Sequence, residues 1–527
     1  MCKPSFYLTT PIYYVNSVPH LGTAYTTIAA DALARYRRMT GYDVLFLTGL
    51  DEHGQKVAQA AEAAGVSPQE WTDSIAPRFQ ETWELLDISH DDFIRTTQPR
   101  HQDGAAAFLQ KLHDGGYIYQ GHYEGWYCVP DETFWTEEQL EEGACPSCGR
   151  EVQFIREDNW FFKLSEFQDR LLAHYEAHPE FVAPDTRRNE VLSFVKGGLN
   201  DLSVSRTAFT WGIPLPFDPE HVMYVWFDAL LNYVTAIGYG SQDPERIAEF
   251  QKRWPAQFHF VGKDIIRFHC VIWPAMLMAA GLPLPERVFA HGFLLTKGEK
   301  MSKSKGNAQS PASLVERFGV DGYRYYFLRD VQFGHDGSIS MEAMVQRYNG
   351  DLANDWGNLV SRLLNMTEKY LGGVTPDAPT TTEHTDDDRA LFAHAAQLPV
   401  LYEDAMLKLD FAGALEAVWH LVKGTNLYIE NAAPWNLAKG DETRARLEAV
   451  LYHALEAVRI ATLFTAPVMP ATSAEVWRRL GLAGAPTDVD DLAAAACWGG
   501  LPGGLTVSKG EPLFPRIYED EKTDATP

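Results

Sequence analysis

Apolar runs alternate with amphipathic helical stretches over residues 1–116. The runs SFYLTTPIYY at 5–14 and DVLFLTGLD at 43–51 are rich in β-forming residues, which predicts two buried strands. The stretches Thr23–Thr40 and Gln55–Ala64 have helical spacing. Strand, helix, strand, helix predicts an α/β fold built on a doubly wound parallel sheet, in which ligands bind at the carboxyl ends of the strands.

The pattern changes twice further along the chain. Residues 117–215 hold short, polar, aromatic-rich segments around a cysteine cluster, which indicates an insertion in the sheet domain. Strand-like runs return within 216–290, at HVMYVWFDALL and QFHFVGKDII, and the α/β pattern closes near His291. A connecting region at 291–345 precedes a nearly all-helical region at 346–480, interrupted by a Gly, Pro and Thr-rich linker at 372–388. Residues 481–527 are predicted to pack as an extended tail.

Composition narrows the classes of protein that this chain can be. It has 527 residues, 46% of them hydrophobic, and a formal net charge of −26. This hydrophobic content excludes a disordered chain, and no apolar run reaches the length that a membrane span needs. The N-terminus lacks the layout of a signal peptide, so we expect a cytoplasmic protein. The acidity argues against a protein that coats nucleic acid through bulk positive charge.

Two motifs predict phosphate chemistry. In VPHLGTAY, His20, Gly22 and Thr23 lie between a strand and a helix, where the helix N-terminus favours an anion. In GEKMSKSKGN, lysines between glycines suit the clamping of a triphosphate. The alternatives are an ordinary turn with a surface histidine for the first motif and a solvated basic loop for the second.

HLG near the N-terminus and KMSKS about 280 residues later resemble the two signatures of the class I aminoacyl-tRNA synthetases. Further segments make the chain similar to the methionyl-tRNA synthetases: TTPIYYVNSVPHLG, LTGLDEHG, YVWFDALLNY, FVGKDIIRFH, KMSKSKGN, GNLVSR and NAAPWNLAK. The resemblance implies a Rossmann-type catalytic domain in two halves (1–116 and 216–290), a zinc-knuckle connective insertion (117–215), a KMSKS and stem-contact region (291–345), and an all-α anticodon-binding domain (346–480).

The same resemblance implies a methionine–tRNA ligase that uses ATP with Mg²⁺ and charges tRNA(Met). The residues expected to act at the ATP phosphates are His20, Gly22, Thr23, Lys300, Met301, Ser302, Lys303 and Ser304, with His20, Thr23, Lys300 and Lys303 as the catalytic set. The family's first signature usually ends in a second histidine where this chain has Thr23, and whether the threonine hydroxyl, a neighbour or water takes over its role stays open.

A methionine site is also implied by the resemblance. Asp51 is expected to hold the α-ammonium group, although a carboxylate there could instead cap the following helix. The pocket residues implied with it are Pro11, Ile12, Tyr14, Trp226, Ala229, Leu230, Tyr233, Ile265 and His269. Aromatic rings suit a polarizable thioether, but without the resemblance most of these residues would be read as ordinary core.

A metal site is predicted from spacing. Cys128 and Asp131 form one x₂-spaced pair, and Cys145 and Cys148 form another 14 residues beyond Asp131. Two such knuckles have the spacing of a tetrahedral zinc site, which we expect to be structural. Asp131 is either the fourth ligand or a relic in a site completed otherwise. The other cysteines are expected to be ordinary thiols.

Asn358 and Arg362 share one helix face, and Trp435 follows a proline at a helix start. The resemblance implies that these three residues read the anticodon, while without it they are a surface pair and a core tryptophan. Two islands of positive charge stand in the acidic chain, Lys297–Lys305 and the cluster Arg35, Arg37 and Arg38. We therefore expect a few stacking and base-edge contacts to the RNA, with positive charge reserved for phosphates at the active site.

Two rival functions remain at this stage. One is a cysteinyl-type class I synthetase, whose metal would hold the substrate thiolate inside the catalytic site. The other is a non-catalytic tRNA-binding paralogue, in which Thr23 marks lost chemistry. After about residue 480 there is little room for an additional oligonucleotide-binding domain, so we expect a monomer whose ligands are tRNA(Met), ATP and L-methionine, with no DNA and no membrane as partners.

Overall fold

The computed structural model of the chain describes residues 3–16, 18–146, 148–296, 299–300, 310–380 and 383–518. The elements predicted for the first part of the chain are present. They are β1 (Ser5–Tyr14), α1 (Leu21–Met39), β2 (Asp43–Asp51) and α2 (Gln55–Ala64). Three elements that were not predicted follow them: α3 (Pro68–Leu85), β3 (Asp92–Arg95) and α4 (Pro99–Asp114). Both strands and α2 have the predicted bounds, and α1 begins two residues earlier than predicted.

The middle of the chain follows in two groups. The insertion contains β4 (Ile118–Cys128), β5 (Thr133–Trp135), β6 (Gln153–Phe162), α5 (Gln168–Ala177), β7 (Val182–Ala183), α6 (Asp185–Lys196), β8 (Leu202–Ser203), β9 (Ser205–Arg206), β10 (Pro214–Leu215) and β11 (Asp218–Met223). After it come α7 (Val225–Leu230), α8 (Asn232–Thr235), α9 (Pro244–Arg253), β12 (Phe258–Gly262), α10 (Trp273–Ala280), β13 (Val288–His291), β14 (Leu294–Thr296) and β15 (Glu299–Lys300).

The remainder is mostly helical. It comprises α11 (Pro311–Asp330), β16 (Gly337–Ser338), α12 (Met341–Arg347), α13 (Asn358–Leu371), α14 (Asp386–Leu407), α15 (Phe411–Ala432), α16 (Pro434–Leu437), α17 (Arg444–Thr465), α18 (Pro470–Arg479) and α19 (Leu492–Ala495). The linker is shorter than expected, because Thr385 and Asp388 form a capping box that starts α14 at Asp386. No described helix has both the length and the apolar composition needed to cross a membrane.

The central sheet is parallel, with strand order β3-β2-β1-β12-β13-β7. The chain reverses direction across the sheet beside β1, so the carboxyl ends of β1, β2 and β12 meet at one edge. In α/β sheets this switch point is where ligands bind. The insertion adds a separate antiparallel sheet, β5-β4-β6-β8.

Only the first residues of the strand predicted for HVMYVWFDALL form a strand. The strand β11 ends at Met223, and residues 225–230 form α7. Almost every side chain of α7 is buried, so the helix has no polar face to give its sequence a helical period. A short, continuously apolar run does not distinguish a buried strand from a buried helix.

One guanidinium joins three parts of the molecule. Arg324 on α11 donates to the Asp31 carboxylate on α1 at 2.5 Å, and both side chains are fully buried. The same group donates to the backbone oxygens of Leu86, at the end of α3, and of Val468, just after α17. Burial alone would raise the pKa of Asp31, but Arg324 and Arg35 outweigh it and lower it to about 2. The ion pair therefore stabilises the fold above the ordinary carboxyl pKa and is lost only as the pH falls toward 2.

Removing this guanidinium is expected to destabilise the protein strongly. Arg324→Met leaves Asp31 as a buried charge with weakened compensation, a change that costs about 3–5 kcal/mol. The matched control Arg78→Met breaks an exposed pair with Glu81 and is expected to cost less than about 1 kcal/mol. Urea unfolding compares the two variants, and equal losses of stability would contradict the role given to Arg324.

Candidate functional site

Asp51 is a buried carboxylate at the carboxyl end of β2 and forms no ion pair with the described residues. It lies in register with Tyr14 at the end of β1, so both residues reach the ligand edge of the sheet at the same level. The side chain is buried, and its Oδ1 has no hydrogen-bond partner. Burial raises the pKa of Asp51 well above its usual range, and Asp228, Glu132 and Glu52 raise it further. The group is thus suited to receive a cation. The helix that follows is capped at Gly54, so Asp51 is not its N-cap.

The three neighbouring carboxylates have partners of their own. Glu52 accepts from Arg95 at 2.6 Å and from the Thr97 hydroxyl. Glu132 accepts from the Tyr14 hydroxyl at 3.0 Å, and Asp228 is held by two histidine rings. Each of these three carboxylates already accepts hydrogen bonds within the protein, so Asp51 is the carboxylate that has an oxygen left for a ligand.

Glu132 and Gly54 pack against each other at the mouth of this site. Gly54 has φ +100°, and a Cβ there would lie 2.7 Å from the Glu132 carboxylate. Glu132 itself has φ +49° and accepts from the backbone N–H of Lys56 at 2.9 Å. Glycine at position 54 therefore serves both the backbone conformation and the close approach of the carboxylate.

An aromatic wall adjoins Asp51. Trp226 stacks on Phe268 with ring centroids 4.0 Å apart and meets Tyr14 edge to face at 6.0 Å. The Trp226 indole N–H donates to the backbone oxygen of Asp131 at 3.3 Å. These contacts place two predicted pocket residues, Tyr14 and Trp226, side by side and half-buried.

A second wall comes from a one-turn π-helix at Phe268–Ile272, a conformation frequent at functional sites. His269 donates through Nδ1 to the backbone oxygen of Ile265 at 3.0 Å, so its Nε2 accepts from the Tyr233 hydroxyl at 2.7 Å. Burial lowers the pKa of His269 to about 4, which keeps the ring neutral at neutral pH. The remaining predicted pocket residues lie on the flanking elements: Pro11 and Ile12 on β1, and Ala229 and Leu230 on α7.

The N-terminus of α1 is organised by His20. Its Nδ1 accepts from the backbone N–H groups of Gly22 and Thr23, at 3.1 and 3.3 Å, so the ring proton is on Nε2. The Thr23 hydroxyl accepts from the backbone N–H of His20 at 3.1 Å, which completes a capping box, and donates to the backbone oxygen of His20 at 2.7 Å. The threonine hydroxyl proton is thus used within the motif.

Only the start of the second motif is described. Lys300 pairs with Leu295 through the backbone of β15 and β14. The expected contacts of Met301, Ser302, Lys303 and Ser304 lie outside the described residues.

The arginine cluster on α1 is not a reserve of positive charge. Arg35 pairs with Asp31 at 2.8 Å, and Arg38 pairs with Asp91 at 2.7 Å. The Arg37 guanidinium lies over the Phe6 ring, 5.2 Å from its centroid. The sequence shows this run as an island of positive charge, but in the fold Arg35 and Arg38 are neutralised by Asp31, one helical turn away, and by Asp91, which is distant in sequence.

The predicted metal ligands are together. The donor atoms of Cys128, Asp131, Cys145 and Cys148 all lie within 4.8 Å of one another. The Cys128 and Cys148 sulfurs are 3.6 Å apart, and the Cys145 sulfur is 3.4 Å from Asp131 Oδ2. Zinc–sulfur bonds of about 2.3 Å in a tetrahedron put two sulfurs about 3.8 Å apart, so three thiols and a carboxylate at these distances fit a tetrahedral metal ion.

The three predicted RNA-reading residues line one groove of about 700 Å³. Asn358 and Arg362 come from α13, and Trp435 from α16 with 42% of its side chain exposed. Arg362 donates to the Asn426 side chain at 3.1 Å, which fixes the orientation of the guanidinium. An exposed indole beside an oriented guanidinium is an arrangement that stacks and hydrogen-bonds unpaired bases.

Sequence analysis missed four residues at the active cleft: His53, His101, Asp228 and Phe268. His53 and Asp228 lie within segments that carried the family resemblance, and a charged residue in the apolar run VWFDALL was the one available signal. Phe268 also lies in such a segment, FVGKDIIRFH, whereas His101 gave no signal, because its partners are distant in sequence.

Comparisons with known proteins agree along the whole chain. The family described as "tRNA synthetases class I (M)" matches residues 6–157 and 149–364. The "Anticodon binding domain of methionyl tRNA ligase" matches residues 378–526. A methionine–tRNA ligase of Caldanaerobacter subterraneus subsp. tengcongensis is 51% identical over 98% of this chain and 79% of that protein. One of Streptomyces coelicolor is 49% identical over 98% of this chain and 97% of that protein.

Solved structures agree as well. The Mycobacterium tuberculosis methionyl-tRNA synthetase in complex with methionyl-adenylate superposes with a TM-score of 0.92 at 46% identity, covering 97% of this chain and 100% of that chain.

Proposed function

The chain belongs to the methionyl-tRNA synthetase family of the class I tRNA synthetases, and we propose that the cleft beside Asp51 is where it activates methionine. The activity is that of an ATP-dependent methionine–tRNA ligase. The methionine carboxylate attacks the α-phosphate of ATP to give methionyl-adenylate and pyrophosphate. The terminal adenosine hydroxyl of tRNA(Met) then attacks the mixed anhydride and releases AMP.

The observation that carries the proposal is the buried carboxylate of Asp51, whose Oδ1 has no hydrogen-bond partner among the described residues. A desolvated carboxylate with a raised pKa gains most from a cation that brings both charge and N–H donors. The α-ammonium of methionine is such a cation. Bound there, its side chain extends between the Tyr14–Trp226 wall and the Tyr233–His269 pair.

The pocket chemistry fits a thioether. Trp226 and Tyr233 offer aromatic faces, and the neutral His269 places no charge beside the sulfur. Discrimination against smaller apolar side chains rests on shape, and one methylene is worth only about 1–3 kcal/mol. The metal-bound thiolate of a cysteinyl-type enzyme is not favoured, since the Cys₃Asp cluster lies in the insertion rather than among the pocket side chains.

The phosphates are assigned to the two signature motifs. His20 Nε2–H and the backbone at Gly22 are the proposed donors at the start of α1, and Lys300 and Lys303 are the proposed cations opposite them. Thr23 acts by holding His20 in place. Catalysis is then positioning plus charge stabilisation, with Mg²⁺ accompanying ATP and no covalent enzyme intermediate.

Zinc is the proposed occupant of the Cys128, Asp131, Cys145 and Cys148 cluster. With four protein ligands and no open position, the ion would be structural. Asp131 belongs to this cluster, and Glu132 follows it directly in the chain. The backbone oxygen of Asp131 accepts from the Trp226 indole N–H, and that of Glu132 accepts from the Tyr224 hydroxyl. The knuckle therefore supports the methionine wall mechanically.

The groove formed by Asn358, Arg362 and Trp435 is the proposed anticodon site. The cleft and this groove lie on one chain, which supports a monomer. We propose that it acts in the cytoplasm on tRNA(Met), ATP and L-methionine, with neither DNA nor a membrane as partner.

Asp51→Asn is expected to lower methionine-dependent ATP–pyrophosphate exchange. An amide keeps the shape but loses a charge-assisted hydrogen bond, worth about 1.5–3 kcal/mol, so kcat/KM for methionine falls roughly 10- to 150-fold. The exposed control Asp404→Asn is expected to match the wild type. Wild-type exchange driven by cysteine instead of methionine, or no exchange above background, would contradict the proposal.

Asp131→Ala is expected to weaken metal binding. The wild type should contain about one zinc ion per chain, and a cobalt-substituted sample should show thiolate–cobalt absorption. Asp158→Ala, an exposed aspartate in the same insertion, serves as the control. Unchanged zinc affinity in Asp131→Ala would exclude this carboxylate as a ligand.

Trp435→Ala is expected to raise the KM for tRNA(Met) in aminoacylation about tenfold or more, since stacking one base on an aromatic ring is worth about 1–3 kcal/mol. Methionine-dependent exchange should not change, because the groove lies outside the cleft. Leu427→Ala, an exposed apolar residue on α15 outside the groove, is the control. Equal effects of both substitutions would argue against RNA stacking on Trp435.

A further inference from the structure

One buried carboxylate near Asp51 is held by two imidazole rings. Asp228 Oδ2 accepts from His53 Nδ1 at 2.6 Å, and Asp228 Oδ1 accepts from His101 Nε2 at 2.6 Å. The exposed fraction of each side chain is 3% or less. The other nitrogen of His101 forms a 2.8 Å hydrogen bond with the Thr235 hydroxyl, which fixes that ring from its far side.

The three residues come from three elements of the cleft. His53 lies in the turn after β2, two residues beyond Asp51, and His101 lies on α4. Asp228 lies on α7, the short helix that also supplies Trp226 and Leu230 to the proposed side-chain pocket. Asp228 therefore joins the turn that carries the ammonium-binding carboxylate to the helix that carries the pocket wall.

The turn is fixed by the same contacts. The backbone N–H of His53 acts to lower the pKa of Asp51, so an anchored His53 ring also keeps that favourable dipole beside the carboxylate. The His53 ring meets Trp211 edge to face at 5.4 Å, and the Trp211 indole donates to the backbone oxygen of Glu52 at 2.6 Å. The contacts that hold Glu52 and His53 thus prevent Asp51 from rotating away from the cleft.

The Asp228 carboxylate carries a negative charge in this network. Burial alone would raise the pKa of Asp228, but the two histidines outweigh it and lower it to about 2. Asp228 is therefore ionised at neutral pH, and its field acts on Asp51 and on any cation bound there.

We propose that Asp228 is a positioning residue for the ammonium group of the substrate. By clamping His53 and His101, it aims the Asp51 carboxylate at the amino group of a methionine molecule that lies against the α7 wall. This inference rests on the proposed function, since it takes Asp51 as the ammonium receptor. A purely architectural role for Asp228 would support the cleft as a whole, whereas the proposed role concerns one end of the ligand.

The test compares two ligands. L-Methionine and 4-(methylthio)butanoate differ only in the amino group, and their dissociation constants are measured with wild type and Asp228→Asn. We expect the wild type to prefer methionine, and the substitution to reduce that preference about tenfold while the affinity for the analogue changes less than about twofold. Equal weakening of both ligands, or no weakening of either, would overturn the proposal.

The proposed function fails separately in the same experiment. If the wild type binds methionine no better than the analogue, Asp51 is not an ammonium receptor and both proposals fall. If the wild type prefers methionine over the analogue and Asp228→Asn retains that preference in full, the positioning role of Asp228 is contradicted while the proposed function stands.

Two further substitutions cover the case in which Asp228→Asn does not fold. His101→Gln retains an N–H donor toward Asp228, and His101→Leu removes it. We expect the preference for methionine to fall in the leucine variant and to be retained in the glutamine variant. A preference unchanged in His101→Leu would contradict the clamp.

The matched control is a buried aspartate far from the cleft. Asp388 accepts from Tyr428 at 2.6 Å and from His453 at 3.2 Å in the helical region. Asp388→Asn is expected to lower the melting temperature without changing the preference for methionine. A control that changed the preference as much as Asp228→Asn would show that the readout reports global stability and would overturn the proposal.

Discussion

A single buried guanidinium holds the catalytic and helical parts of this molecule in one arrangement. Arg324 follows the lysine-rich motif by about twenty residues and reaches Asp31 in the middle of α1, the helix whose first turn contains His20. Its remaining donors satisfy backbone oxygens beside α3 and α17. Because a buried charge has to be paired, these elements are bound to adopt one relative placement. The helical region, with the groove lined by Asn358, Arg362 and Trp435, is thereby fixed relative to the cleft.

Within the cleft, four buried carboxylates differ in how fully their oxygens are hydrogen-bonded. Glu52, Glu132 and Asp228 each accept hydrogen bonds from neighbouring side chains or backbone, while Asp51 retains an oxygen with no partner among the described residues. Four acidic groups in one apolar region are costly unless cations or donors compensate them. Hydrogen bonds within the protein compensate Glu52, Glu132 and Asp228. We assign the compensation of Asp51 to the ammonium group of the substrate. The aromatic wall beside it then decides which amino acid brings the ammonium.

Much of this could be predicted from the sequence. The bounds of β1, β2 and α2 follow from local apolar patterning, and the Cys₃Asp cluster follows from spacing alone. The helix α7 was not predicted correctly, because a helix buried on all sides has no polar face to give a period. The Arg35–Arg38 run was misinterpreted for a different reason. A run of basic residues does not show its acidic partners, and Asp91 reaches Arg38 only through the fold. The Asp228 network was missed on the same grounds, since His101 and Asp228 are 127 positions apart.

The most direct test of the account is a crystal structure of this protein with methionyl-adenylate bound. We expect the ligand's amino nitrogen to lie within about 3 Å of Asp51 Oδ1 and its thioether to lie between Trp226 and the Tyr233–His269 pair. A ligand whose amino nitrogen is held elsewhere, leaving Asp51 Oδ1 without a partner, would contradict it.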